Sequence, residues 1–298
     1  MNRQPAHVGA EMTTIHPANT SRSPHTSQVV DDADWLKTVA IVAVAVGHIG
    51  FFFIRDDQWW AVIGRLAAPT FFFLIGYARA RSVPFYWIWL GIILTVLESL
   101  NADWTWVSPN ILLSFAVLRA VRPYALVFLQ RYGWIALAIL VCALIALVPV
   151  TGKVADYGAG GWLWALFGLC QRIYVDGTSP AGGQSEAGSP APPAHAAAIN
   201  ASRMRLLACI AAVLPYFWQE QAEYSFPPIH FAVFVLGIGI LSASLCLFRR
   251  GPSRFQPPEP IACTLRFIGR HTLEIYAIQL AGSELLIMFV ENLAPVTD

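Results

Sequence analysis

Nine stretches of this chain, near residues 35–54, 59–80, 84–100, 104–121, 134–150, 158–175, 204–221, 229–248 and 271–292, are mostly apolar over roughly the length of a bilayer crossing. An α-helix needs about 20 such residues to span the hydrocarbon. Inside a bilayer every backbone N–H and C=O must be satisfied within the protein, which leaves helices or closed barrels. Continuous apolar runs, with no alternation, select the helix. The expected fold is therefore all-α, a polytopic transmembrane bundle of 9–10 spans. The uncertainty of one span comes from Ser108-Pro109-Asn110, which interrupts the fourth run, with Ser108 placed to cap a helix whose first turn holds Pro109. Composition agrees: charged residues make up 12% of the chain, whereas soluble domains carry about twice that share.

Loop charge orients the bundle. Arg79 and Arg81 follow span two; Arg119, Arg122 and Arg131 follow span four; Arg172, Arg203 and Arg205 flank the next even connection; Arg249, Arg250, Arg254, Arg266 and Arg270 follow span eight. The odd connections hold only Arg55 and Lys153. Lysine and arginine accumulate on the cytoplasmic side, so the N-terminus is expected there. Residues 1–33 are polar and expected to be a disordered cytoplasmic tail, followed by one transmembrane domain over 34–298. The Gly-, Ser- and Pro-rich segment 177–200 reads as a flexible cytoplasmic linker. The first apolar run lacks a clear small-residue cleavage site and is expected to act as an uncleaved anchor. Five cysteines without Cys-x-x-Cys spacing indicate packing thiols and no metal site. A net charge of +1 with no basic cluster gives no sign of a nucleic-acid partner.

Span one, WLKTVAIVAVAVGHIGFFFI, carries an ionisable ring, His48. Lys37 lies eleven residues earlier, about three turns, so both side chains share a face. Span two returns with Arg65. His48 and Arg65 flank the turn at Asp56–Asp57 nearly symmetrically, each about six residues or ~9 Å below the outer surface. Arginine at that depth normally faces protein or a watery cavity. Gly64 permits close helix approach and Pro69 a kink just below the arginine. A neutral imidazole in a partly dry cavity is a good general base, and a nearby guanidinium stabilises a developing oxyanion. Together they suggest removal of a proton from an amine or hydroxyl that then attacks an activated acyl group, in a hydrated pocket expected to open toward the cell interior.

The first hairpin, DWLKTVAIVAVAVGHIGFFF followed by IGRLAAPTFFFLIGYARA, resembles the opening of the TraX family. The shared features are an acidic–x–Leu–Lys start, His–Ile–Gly near the end of span one, and the block Gly64–Phe71. SPNILLSFAVL, with Asn110, and ADYGAGGWLWALFGL, with Asp156, Tyr157, Gly158 and Gly161, extend the likeness. One position departs from the pattern: Gly47 stands where the family often has an aspartate before the histidine. FIGRHTLEIYAIQL is similar to a late-helix block of multispan membrane acyltransferases, with Leu273, Ile275 and Tyr276 matching and Gln279 in place of a final histidine. The resemblance implies a membrane acetyltransferase, associated in TraX with acetylation of conjugative pilin. Acetyl-CoA would be the donor, and a pilin N-terminus or cell-surface glycan the acceptor, in a bacterial inner membrane.

On that reading His48 and Arg65 are the catalytic pair. Lys37, Arg79, Arg81, Arg270, His271 and Glu274 are candidates to hold the donor at the cytoplasmic side. Glu98 is a candidate to orient His48, and Asp156 lies in the outer loop where an acceptor amine would arrive. The alternative is a non-enzymatic transporter, or an assembly factor for surface appendages, in which the same residues serve as helix contacts or ligands.

Overall fold

The computed structural model describes residues 29–54, 56–80, 82–101, 108–152, 154–178 and 194–293, without side chains for 194–197 and 291–293. These form eleven helices: α1 (Asp32–Phe53), α2 (Trp59–Gly64), α3 (Ala67–Tyr77), α4 (Phe85–Asn101), α5 (Ile111–Tyr132), α6 (Trp134–Thr151), α7 (Gly158–Thr178), α8 (Ala194–Tyr224), α9 (Pro228–Leu247), α10 (Glu259–Arg270) and α11 (Thr272–Leu293). No strand occurs among the described residues, apart from one isolated bridge between Asp31 and Pro252. Seven segments are long and apolar enough to cross a membrane, with α2 and α3 counted as one, and α4 is a shorter apolar helix. The protein is thus an integral membrane bundle that contacts lipid over a broad apolar exterior.

Helix α7 sits at the centre. Its sequence GAGGWLWALFGLCQ is buried along nearly its whole circumference, as expected of a helix apolar on all sides. Small residues bring backbones together there, as is usual between helices in lipid. A Cβ on Gly76 of α3 would collide with the Ala165 carbonyl, and one on Gly168 of α7 with the Phe73 carbonyl. Phe72, Phe73, Phe115, Trp164, Phe167 and Tyr216 fill the surrounding core. Because the obstruction at Gly168 is backbone, no rotamer relieves it. Gly168→Val is expected to destabilise the protein by about 3 kcal/mol or more, measured as a lower Tm of the purified protein in detergent.

Arg79, Arg122, Arg172 and Arg205 gather at one end of the bundle, which the charge rule assigns to the cytoplasm, and several close off helix ends. The Arg122 guanidinium donates to the Ile75 carbonyl (3.0 Å) and the Ala80 carbonyl, and Arg172 donates to Ala78 (3.1 Å). These cations complement the carbonyl-rich C-terminus of α3. Arg79 and Arg172 both pair with Asp176, at 2.5 and 3.3 Å.

Several boundaries differ from the sequence reading. The fourth span begins at Ile111 and runs to Tyr132, because Asn110 caps it, its side chain accepting from the Leu112 N–H. Helix α8 starts ten residues before the expected span, through the alanine-rich AHAAAINA, which favours helix. Helices α7 and α8 thereby enter the expected linker from both sides, and residues 179–193 lie outside the described structure. Residues 29–33, assigned to the tail by composition, belong to the fold: Val30 is buried against Ala262 and Leu265. The sequence reading lacked α10. Its signal was present, since Ile261, Ala262, Leu265 and Ile268 recur at helical spacing after Pro258 and between Glu259, Arg266 and Arg270.

Candidate active site

The hairpin of α1 and α2 is held by glycine against glycine. A Cβ on Gly64 would lie 2.6 Å from the Gly47 Cα, and one on Gly47 would lie 2.8 Å from the Gly64 Cα. This contact leaves no room for a side chain at position 47 in the present packing. It also fixes the depth of the next residue on each helix, and those residues are His48 and Arg65. Both line one cavity.

The second span breaks at Arg65, as Pro69 requires. Proline has no N–H to return to the carbonyl four residues earlier, and that carbonyl is Arg65's. It accepts instead from the Tyr216 hydroxyl at 2.7 Å. The guanidinium beyond it is held on several sides. Its Nη1 donates to the Tyr157 hydroxyl (2.9 Å), Nε lies 3.3 Å from Glu220 and Nη2 3.6 Å from Glu223, and the Tyr224 ring stacks 4.3 Å from its centre. The Glu220 side chain is fully buried. Arg65 is therefore a fixed positive charge presented from a rigid frame, with part of its five-donor fork still available.

Tyr157 reaches Arg65 through an unusual turn. Tyr157 (φ +60°) and Gly158 (φ +40°) are both left-handed, and a Cβ on Gly158 would meet the Thr151 Oγ1 at 2.6 Å. A left-handed tyrosine is strained, and such strain is a recurring mark of functional sites. The turn brings Asp156 and Tyr157 into the cavity together. Asp156 accepts from the Ser108 hydroxyl at 2.8 Å. Burial raises the Asp156 carboxyl above its ordinary value, against the opposing effect of the Ser108 bond and the positive field of Arg65.

His48 faces a different set of groups. Its ring lies 5.9 Å from that of Tyr276 and 6.0 Å from that of Phe52, and its buried Nδ1 has no protein hydrogen-bond partner. Asn110 organises the far side of Tyr276. Its fully buried amide donates to Glu98 (3.0 Å) and to the Tyr276 hydroxyl (3.2 Å), while its carbonyl caps α5. Glu98 thus shares the cavity with His48 and is tied to Tyr276 through Asn110, with no hydrogen bond to the histidine among those described. Asn110→Ala removes the cap and strands two buried partners, and is expected to lower stability by about 2 kcal/mol or more, read from Tm in detergent.

The cavity has a volume of about 1090 Å3. Its walls come from one end of the helices and from the turns there: Ile54, Asp57 and Gln58, Ser108, Gly152 and Asp156, Glu223 and Tyr224. That end is opposite the arginines. The mouth therefore lies at the end that the charge rule expects outside, whereas the sequence reading expected an opening toward the cell interior, and the cavity reaches into the bundle to Val44, Phe71 and Leu273. Asp57, Glu98, Asp156, Glu223 and Glu284 line it, with Glu220 behind Arg65, so among the described residues carboxyl groups outnumber the one guanidinium.

The other sequence candidates lie elsewhere. Lys37 donates from Nζ to the Gly269 carbonyl (2.8 Å), at the junction of α1 and α10. Arg270 and His271 are exposed beside it, the His271 ring packing 4.8 Å from Phe267. Glu274 accepts from the Tyr86 hydroxyl at 3.4 Å. Arg79 belongs to the separate ion-pair group on Asp176. Arg81 falls outside the described residues, as do Trp104 and Trp106 of the fourth apolar run. His230 stacks on Trp59 at 4.1 Å. The sequence reading missed Glu220 and Glu223. Two acids three residues apart near the end of an apolar span, in WQEQAEY, were the available signal.

Comparison with known proteins bears on this site. A family model described as TraX protein matches residues 32–238. One relative, Protein TraX of Escherichia coli, is 30% identical over 245 residues, covering 79% of this chain and 85% of the relative. Another, Protein TraX of Escherichia coli strain K12, is 27% identical over 243 residues, with the same coverage. No solved structure matches the chain.

Proposed function

The chain belongs to the TraX family, and from that premise we propose that it is an inner-membrane acetyltransferase, moving an acetyl group from acetyl-CoA to an amine or hydroxyl acceptor such as a pilin N-terminus or a surface glycan. The observation that carries the reading is the meeting of His48 and Arg65 in one polar cavity. His48 Nδ1 is buried without a protein partner, and the cavity it lines is also lined by a guanidinium held by Glu220, Glu223 and Tyr157. Burying an unpaired imidazole nitrogen is costly, and active sites are where such costs are tolerated.

In the proposed reaction the acceptor enters from the outward mouth. His48 takes the proton from its nitrogen or oxygen as that atom bonds to the acetyl carbonyl carbon. The carbon–sulfur bond breaks, and the departing thiolate recovers the proton from the imidazolium. Arg65 stabilises the oxyanion that forms in between. The acidic lining suits a cationic amine better than a hydroxyl: an ammonium is attracted by the Asp156 and Glu223 side, gives its first proton to a carboxylate there, and reaches the acetyl group as the neutral amine whose second proton His48 takes. The same lining disfavours the donor's phosphates, so only the acetyl end is expected to reach this cavity.

The test is turnover of radiolabelled acetyl-CoA by the purified protein in detergent, with peptide amines and sugars as acceptors. Labelled product, or acceptor-dependent release of CoA, is expected. Donor binding without turnover across the panel would identify a binding protein instead, and absence of donor binding would remove the acetyl-CoA assignment.

A further inference from the structure

A second cavity, of about 530 Å3, lies at the arginine-rich end, lined by Arg249, Arg250 and Arg254 with Asp32 and Gly251. Taking the acetyl-CoA reading as its basis, we propose that this pocket seats the phosphates of the donor's nucleotide end.

The loop that carries the three arginines is built into the fold. It is fastened to the segment before α1: the Asp32 N–H donates to the Gly251 carbonyl (3.1 Å), the Gly251 N–H to the Asp31 carboxylate (3.2 Å), and the Ser253 N–H to the Val30 carbonyl (2.9 Å). Gln256 completes the frame by accepting from the Val30 N–H (3.1 Å) and donating to the Val30 carbonyl (3.1 Å). Arg250 is aimed by Asp31, 3.1 Å from its Nε. Among the described ion pairs Arg249 and Arg254 have no carboxylate partner, which leaves two exposed guanidiniums lining the pocket for a ligand. Guanidinium keeps its charge at any physiological pH, and its fork matches phosphate oxygens two at a time. A preformed loop loses little freedom on binding.

Position favours the same ligand. Helix α1 carries Asp32 in this pocket and Val44 at the inner limit of the His48 cavity. Twelve residues of helix separate them, about 18 Å along the axis. A ligand with a polyanionic head and a long flexible arm ending in a thioester has the shape to bridge two such sites. The arginine candidates marked earlier from sequence suit the phosphates less well, because Arg79 is already paired with Asp176 and Arg270 lies outside both cavities.

The probe is adenosine 3′,5′-bisphosphate, titrated by calorimetry into the full chain in neutral detergent. Saturable binding is expected, weakened at least tenfold in R249Q/R254Q and unchanged in Arg131→Gln, a distant exposed arginine. The double variant should raise KM for acetyl-CoA with little change in kcat. Should it fail to fold, Arg254→Gln alone carries the test, because Arg254 takes no part in the hydrogen bonds to Asp31 and Asp32. Equal bisphosphate affinity in variant and wild type overturns the proposal and leaves acetyl transfer standing, as does absence of binding in the wild type. Loss of retention on phosphatidylglycerol vesicles alone, with bisphosphate affinity kept, overturns it in favour of a lipid-headgroup site. His48→Ala should bind the bisphosphate normally, so failure of the chemistry and failure of this site are separable.

Discussion

Replacing His48 with alanine is expected to reduce acetyl transfer by about 10² to 10⁴-fold, the usual range for loss of a general base. The fold should survive. His48 is half-buried, its Nδ1 makes no protein hydrogen bond, and its contacts are the ring edges of Phe52 and Tyr276. Tm should therefore change little while turnover collapses. A variant that keeps wild-type turnover would remove the histidine from the chemistry. One that loses activity and Tm together would make it a packing residue. Gln in its place retains a polar side chain without the base and should be as inactive as alanine.

Arg65→Met is expected to cost about 3–5 kcal/mol of stability, the typical penalty for removing one partner of a buried ion pair. The reason is Glu220, whose side chain has no solvent exposure and whose counter-charge is Arg65 at 3.3 Å. Without the guanidinium, Tyr157 also loses its donor and Tyr224 its cation. Because the penalty is mostly the stranded carboxylate, adding Glu220→Leu should recover much of the lost Tm. It should not recover activity, since the fixed positive charge is still absent. Arg65→Lys keeps the charge but not the fork, and cannot serve Tyr157, Glu220 and Glu223 at once, so an intermediate loss is expected. Denaturant titration of the single and double variants in detergent measures the coupling. Strict additivity of Arg65→Met and Glu220→Leu would show that the ion pair has no energetic role.

The bundle was legible in the sequence because hydrocarbon imposes one rule on every span: about 20 residues with no unpaired backbone. The His48–Arg65 meeting was legible for a related reason. Two residues equally far from a tight turn reach equal depth, and Gly64 allowed the helices to touch. Its partner Gly47 was not legible as the other half of that contact, since a lone glycine in a span has many uses. Pro69 announced the kink, but Tyr216, which satisfies the carbonyl it frees, lies on α8, 151 residues away from Arg65. Glu220 was hidden likewise, and Asn110 was marked only by the family likeness: their partners lie on other helices, and spacing within one helix is silent about those. Which end of the bundle holds the cavity was not legible, because basic residues mark the end expected to face the cytoplasm, not the end that is hollow. The amphipathic α10 escaped notice because a search for long apolar runs passes over a twelve-residue helix with one buried face.

The account rests on His48 lying in a cavity that opens at the face opposite the arginines. In a variant with the five native cysteines replaced, His48→Cys should react in intact cells with a small membrane-impermeant methanethiosulfonate applied from outside, and Arg65→Cys with the same reagent should give the same result if that variant is stable enough to insert. Protection of both positions from the outside, with reaction only in inverted vesicles or after solubilisation, would contradict the outward cavity and the acceptor route built on it.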